Sequence, residues 1–231
     1  MRTLRVSRLM LATSLDAAAS KIVLDDALLQ GGQVDLAAVF GNSRPVEMEI
    51  GTGKGTFLLA RARQRPELNF LGLEWARGYC EYAADRCRRA GLGNVRLLRV
   101  DAQVFLRHCL PNDCLLRLHI YFPDPWPKRR HQRRRLICPE FIAQTVRVLM
   151  PGAQLLIVTD HLDYFRHIDC LAQAAPQLAR IYMPHFAQKP GELVGTNFER
   201  KYLAQGRPLY MVARLKYADA LSKPYCLSAG V

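Results

Sequence analysis

The sequence predicts an α/β protein, a doubly wound and mostly parallel sheet with an antiparallel strand added at its C-terminal edge. Three observations predict it. From residue 46 onward, short β-leaning runs alternate with amphipathic helical stretches. A glycine-rich turn, Gly51-Thr-Gly53-Lys-Gly55, stands between the first such run and the first helix. Acidic residues recur where successive strands end, at Glu49, Glu74 and Asp101, and open α/β sheets bind ligands at that end of their strands.

The elements follow in order. Residues 46–50 form a first strand. Residues 56–65 form a helix with Phe57, Leu58, Ala60 and Ala62 on its apolar side, stopped by Pro66. A second strand covers 69–74, and a helix covers 76–90 with arginines on its wet side and Gly91 closing it. A third strand at 94–100 meets Asp101, and 104–108 is a short helix. The fourth strand, 115–122, runs into Phe122-Pro-Asp-Pro-Trp126-Pro127. A helix at 139–149 is capped by Pro151-Gly152, a fifth strand at 154–159 ends at Asp160, and 164–175 is helical. Then the alternation breaks. Residues 209–217 are apolar and β-leaning after the turn Gly206-Arg-Pro208, which predicts an added edge pair, partly antiparallel. Residues 1–43 show no single period and carry loop signals at Gly31-Gly32 and from Gly41 to Pro45. They are expected to be an N-terminal extension lying against a main domain of residues 44–231.

Composition narrows the class. Half of the 231 residues are hydrophobic, enough for a sizeable core. Lys and Arg number 33 against 20 acids, a formal charge of +13, which points to a dense polyanion such as nucleic acid as partner. The seven cysteines are odd in number and none is spaced C-x-x-C, against a disulfide framework or a thiolate zinc site. Free thiols in a reducing cytoplasm are expected. The basic N-terminus has only a broken apolar patch ending at Asp16, too weak for a signal peptide. No run approaches the roughly 18 apolar residues of a membrane span.

The glycine turn lets the chain bend tightly and lets a nucleoside approach the backbone. Glu74, 23 residues after Gly51, can accept hydrogen bonds from ribose hydroxyls. The dinucleotide fingerprint would need a glycine where Thr56 stands. Pyrophosphate also needs no carboxylate ahead of the loop, whereas Glu49 suits a ligand with an amino group and a sulfonium. Asp101, before Ala102, can serve the exocyclic amine of adenine or simply cap a helix. Together the three acids outline a nucleoside pocket.

The second motif is Phe122-Pro-Asp124-Pro-Trp126-Pro-Lys128-Arg-Arg-His131-Gln-Arg-Arg-Arg135. Its prolines impose a rigid, non-helical loop. Trp126 offers a stacking surface for a base. Six of the eight residues from Lys128 to Arg135 are Lys or Arg and can meet phosphates.

With Leu71-Gly-Leu-Glu74, Asn94-Val-Arg96, Thr159-Asp160 and Thr196-Asn-Phe-Glu199 added, the chain resembles the bacterial tRNA (guanine-N7)-methyltransferases over residues 46–217. The resemblance implies a Rossmann-like fold, S-adenosyl-L-methionine as cofactor, and tRNA as substrate, methylated at a guanine of the variable loop. It implies that Glu49, Gly51, Gly53, Glu74, Asp101 and Ala102 bind the cofactor. It implies that Asp124 is catalytic and that Lys128, Asp160, Thr196, Asn197, Phe198 and Glu199 bind the substrate. Two departures remove positive charge on the substrate side: Asn197 stands where the family usually has Lys, and Gly191-Glu-Leu-Val-Gly195 lacks the Arg that commonly precedes the motif.

Guanine N7 carries an in-plane lone pair and no proton, so its attack on a sulfonium methyl needs no general base. Alignment of the reactants and a carboxylate near the cationic product ring would supply catalysis, with no metal required. Three other readings compete with this one. Methylation of an exocyclic amine is disfavoured because Trp126 follows a single proline. A nicotinamide-dependent oxidoreductase is disfavoured by the glycine spacing. An inactive RNA-binding scaffold is disfavoured by the intact acids. The expected protein is cytoplasmic, without membrane association, and monomeric or homodimeric.

Overall fold

The computed structural model describes residues 22–24 and 32–217. The N-terminal basic stretch and Cys226 lie outside the described residues. The chain first forms α1 (Leu36–Phe40), capped by Asp35, whose carboxylate accepts from the amides of Ala37 and Ala38. The sheet then alternates with helices: β1 (Val46–Ile50), α2 (Thr56–Gln64), β2 (Asn69–Leu73), α3 (Arg77–Arg89), β3 (Val95–Leu98), α4 (Ala102–His108) and β4 (Leu115–Tyr121). A 3₁₀ helix (Arg129–Arg134) precedes α5 (Pro139–Val148), β5 (Leu149–Thr159), α6 (Leu162–Ala174), β6 (Leu178–Arg180), α7 (Asn197–Ala204) and β7 (Tyr210–Lys216).

The seven strands lie in the order β3-β2-β1-β4-β5-β7-β6. All pairs from β3 to β5 are parallel, and β7 runs antiparallel between β5 and β6. The sheet is thus mostly parallel, with an antiparallel strand in the C-terminal edge pair, as the sequence predicts. Strand order reverses between β1 and β4, which opens a crevice at their carboxyl ends. β1 and β2 are buried along their whole length, as expected of strands covered on both faces. α3 shows why an arginine-rich segment still folds onto the sheet. Cys80, Ala83, Ala84 and Cys87 recur at helical spacing and are buried, while Arg77, Arg88 and Arg89 face water.

Part of the N-terminal segment joins the sheet. Val23 pairs in parallel with Leu97 on the outer edge of β3, and Val34, Val39 and Phe40 enter the main core. An exposed strand edge is covered in this way.

Two local expectations change, and β6 and α7 add to the expected elements. Pro151-Gly152 does not cap a helix; β5 runs through them for 11 residues. The β4 ladder jumps from Leu115↔Leu149 to Arg117↔Gln154, and β7 pairing begins at Gln154. Pro151 therefore sits in an irregularity where no ladder needs its missing N–H. The basic run is a 3₁₀ helix rather than a loop. The short β6 has too few residues to show a period. The Thr196 segment starts a helix, and its Thr-x-x-Glu spacing is the capping signal that announces it. The six cysteines in the described residues are all free. No helix among the described residues is long and apolar enough to cross a membrane.

Candidate active site

The turn after β1 is built first. Gly51 donates from its amide to the Leu73 carbonyl at 2.8 Å, and Gly55 to that of Thr52 at 2.8 Å. Gly55 has φ +67°, and a Cβ there would lie 2.8 Å from the Ala83 Cβ on α3. Glycine is therefore required both for the left-handed backbone and for the close helix approach. Glu74 fixes the other end of the turn. Its carboxylate accepts from Gly53 N at 2.8 Å and from Ala76 N at 2.9 Å. Each oxygen keeps a further lone pair for a ligand.

That crevice is a cavity of about 710 Å³. Glu49, Gly51, Gly53, Glu74, Asp101 and Ala102 line one part of it, Asp124 and Trp126 another, and Thr196, Asn197 and Phe198 its far lip. Glu49 is only 3% exposed, and its Oε2 has no hydrogen-bond partner. Burial pushes its pKa up to about 8, with the Glu74 charge adding to the rise and a hydrogen bond from the Leu58 backbone opposing it. A buried acceptor without a partner is costly. A ligand carrying a cationic amino or sulfonium group would supply what Glu49 lacks, so the residues present fit S-adenosylmethionine. Asp101 caps α4 through Oδ1, which accepts from Gln103 N at 2.8 Å and Val104 N at 3.2 Å. The cap and the cavity-lining position are thus held by one residue.

Across the cavity, Phe122 and Trp126 both adopt left-handed backbone, with φ of 56° and 43°. Such conformations are uncommon outside glycine and cluster at functional sites. Between them Asp124 is exposed and makes no hydrogen bond or ion pair among the described residues. Trp126 is partly covered: Arg134 lies 5.1 Å above its ring and His131 meets its edge.

The structure separates the expected substrate residues. Thr196 caps α7 by accepting from Glu199 N at 3.0 Å. Asn197 Nδ2 donates to Thr56 Oγ1 at 3.1 Å, tying α7 to the start of α2. Phe198 is half exposed at the lip. Lys128 is exposed but does not line the cavity, and Asp160 lies outside the lining and pairs with Arg207 at 2.8 Å. Glu199 is fully buried; its carboxylate accepts from Leu193 N at 2.5 Å, Val194 N at 3.0 Å and Gly195 N at 2.6 Å. It holds the 193–195 loop instead of facing the cavity. Arg135 likewise departs from the exposed run expected to meet phosphates, since it is only 6% exposed.

The sequence reading overlooked a buried polar cluster under the cavity wall. Glu47 accepts from Arg61 at 3.2 Å, Arg117 at 2.5 Å and His119 Nε2 at 3.1 Å. His119 Nδ1 meets the Tyr121 hydroxyl at 2.8 Å, and Tyr121 lines the cavity. Burial lowers the His119 pKa against the pull of Glu47. The ring thus bridges Glu47 on one side and the Tyr121 hydroxyl on the other. The only sequence signal was a pair of glutamates inside an otherwise apolar strand. Trp75 and Tyr79, also missed, line the rim and are 66% and 50% exposed.

Known proteins resemble this chain in sequence and in fold. The Methyltransf_4 family profile ("Putative methyltransferase") matches residues 43–212. A tRNA (guanine-N(7)-)-methyltransferase of Alkalilimnicola ehrlichii is 36% identical over 180 residues, covering 78% of this chain and 76% of that protein. One of Halorhodospira halophila is 36% identical over 190 residues, covering 80% and 81%. Among solved structures, the 16S rRNA methyltransferase KamB superposes with a TM-score of 0.58 at 17% identity, covering 78% of this chain and 93% of its own. A SAM-dependent methyltransferase from Aquifex aeolicus gives a TM-score of 0.52 at 14% identity, covering 75% and 83%. These structural matches bear on the fold alone. With the profile and the relatives both spanning most of its length, the chain belongs to the tRNA (guanine-N7)-methyltransferase family.

Proposed function

We propose that this protein transfers a methyl group from S-adenosyl-L-methionine to N7 of a guanine in the variable loop of tRNA, forming 7-methylguanosine. The observation that carries the reading is one cavity joining a buried carboxylate with an unpartnered oxygen, Glu49, to an exposed carboxylate, Asp124. The first can hold a cationic donor and the second can face a base.

In this reading Glu49, Gly51, Gly53, Glu74, Asp101 and Ala102 hold the donor. S-adenosylmethionine supplies an electrophilic methyl group. Asp124 orients the guanine edge and stabilises the positive charge that grows on the ring as N7 is alkylated. No residue has to remove a proton from N7. Thr196, Asn197 and Phe198 contact the incoming nucleotide at the lip, while Lys128 and the exposed arginines of the 3₁₀ helix meet phosphates. Asp160 contributes through its pair with Arg207, and Glu199 through the loop it holds. Residues 44–231 are the methyltransferase domain, residues 1–43 an extension, and the cytoplasm the place of action.

The test is transfer of labelled methyl from S-adenosylmethionine to unmodified tRNA, followed by nucleoside analysis and mapping of the modified position. Label in 7-methylguanosine of the variable loop is expected. Label in another nucleoside, or in another tRNA region, would overturn the substrate assignment. Asp124→Asn should lower turnover by about 10²–10³-fold while donor affinity holds. Turnover near wild type would remove Asp124 from the chemistry.

A further inference from the structure

Arg135 ends the basic run but is unlike the rest of it. Lys128, Arg129, Arg130, Arg133 and Arg134 are exposed, whereas Arg135 is buried. Its Nε donates to the Pro125 carbonyl at 2.9 Å and its Nη2 to Asp163 at 2.8 Å. Its guanidinium lies 4.8 Å from the centre of the Tyr164 ring. That ring is itself fixed, being fully buried with its hydroxyl accepting from Ile137 N at 3.2 Å. Asp163 belongs to the first turn of α6, just after the end of β5 at Thr159.

The loop that Arg135 grips has little else to hold it. Pro123, Pro125 and Pro127 have no amide hydrogen. Among the described residues, the bond from Arg135 to Pro125 is the only hydrogen bond made by residues 123–127. Yet the flanking Phe122 and Trp126 hold left-handed backbone, which persists only where the surroundings impose it.

We propose that Arg135 is a positioning residue: it clamps the carbonyl next to Asp124 and ties the Asp124 loop to the β5–α6 junction. The inference rests on the reading of Asp124 as the group that acts on the guanine. The two bonds come from two different nitrogens of one planar guanidinium, a fork that lysine, a single point donor, cannot reproduce.

The clamp has a readout separate from activity. The chain has two tryptophans, so a Trp75→Phe background leaves Trp126, next to the clamped carbonyl, as the sole reporter. In that background Arg135→Lys should make Trp126 more accessible to acrylamide. In the unaltered background it should lower turnover about tenfold to a hundredfold, the scale of a misplacement of about 1 Å, with donor affinity unchanged. In an Asp124→Asn background Arg135→Lys should cost little more, because the two residues act through one loop. Unchanged quenching and turnover in a folded Arg135→Lys protein would overturn the proposal. So would an undiminished further loss in the Asp124→Asn background. If Arg135→Lys does not fold, Asp163→Asn, which alters an exposed partner, takes the same measurements. A smaller loss with increased quenching supports the clamp, and no change in either refutes it. Should Asp124→Asn alone retain full turnover, the catalytic reading fails, and Trp126 quenching still judges the clamp.

Discussion

Glu47 and Glu49 stand two residues apart on β1, on the same face of the sheet, and both are buried. They have opposite characters. Glu47 is met by Arg61, Arg117 and His119. Burial raises its pKa, but the hydrogen bonds and charges of His119 and Arg61 outweigh that and hold it far below the usual carboxylate range. Glu49 has no ion-paired cation among the described residues, and burial pushes it up to about 8. One end of the strand is a finished ionic cluster, and the other is an unfinished site. A carboxylate oxygen buried without a partner is a standing cost, and Glu49 lines the cavity where a cationic ligand would remove that cost.

The comparison can be broken at its stronger end. Glu47→Ala leaves Arg61 and Arg117 without their acceptor and should cost about 3–5 kcal/mol, a fall of roughly 10 °C in Tm for a domain of this size. A thermal melt unchanged from wild type would mean that the cluster holds nothing together.

Glu49→Gln sharpens the other end and should weaken binding of S-adenosylmethionine about tenfold to a hundredfold, as titration calorimetry would record. It should also change how stability depends on pH. In the ligand-free protein the folded pKa near 8 lies above the ordinary value of 4.5. The folded state therefore holds a proton that the unfolded chain releases between those values. The stabilising contribution is complete below about pH 4.5 and is lost as pH rises through about 8. Glutamine has no such proton, so the decline across this window should flatten. An unaltered pH slope would show that Glu49 is not the buried acid responsible.

The smallest effect is expected from Arg117→Met, because Arg61 and His119 still serve Glu47. A cost of about 1 kcal/mol, with donor affinity unchanged, fits a cluster with several partners. A loss as large as that of Glu47→Ala would show that Arg117 alone carries it.

Most of the fold was legible in the chain because period and punctuation agree there. Apolar spacing marked α2 and α3, and Gly51-Thr-Gly53-Lys-Gly55 marked the turn between β1 and α2. The misjudged places are those where a distant partner overrides a local signal. Pro151-Gly152 reads as a stop until the ladder irregularity beside it removes the need for an amide hydrogen. Thr196 and Glu199 read as two substrate contacts, but only Thr196 reaches the cavity.

The sequence by itself determined the alternating α/β order, the glycine turn, the acids near strand ends, and the motif resemblance that the relatives bear out. These are local or periodic properties, so the residues that state them are neighbours in the chain. Only the tertiary structure decided which like-charged residues do unlike things. Glu47 is neutralised by residues 14, 70 and 72 positions away, while Glu49 is left open. Arg135 is drawn into the protein by Asp163, 28 positions on, while its neighbours stay in water. A charge carries no mark of its future partner in the sequence; burial and the groups brought beside it by the fold decide its role.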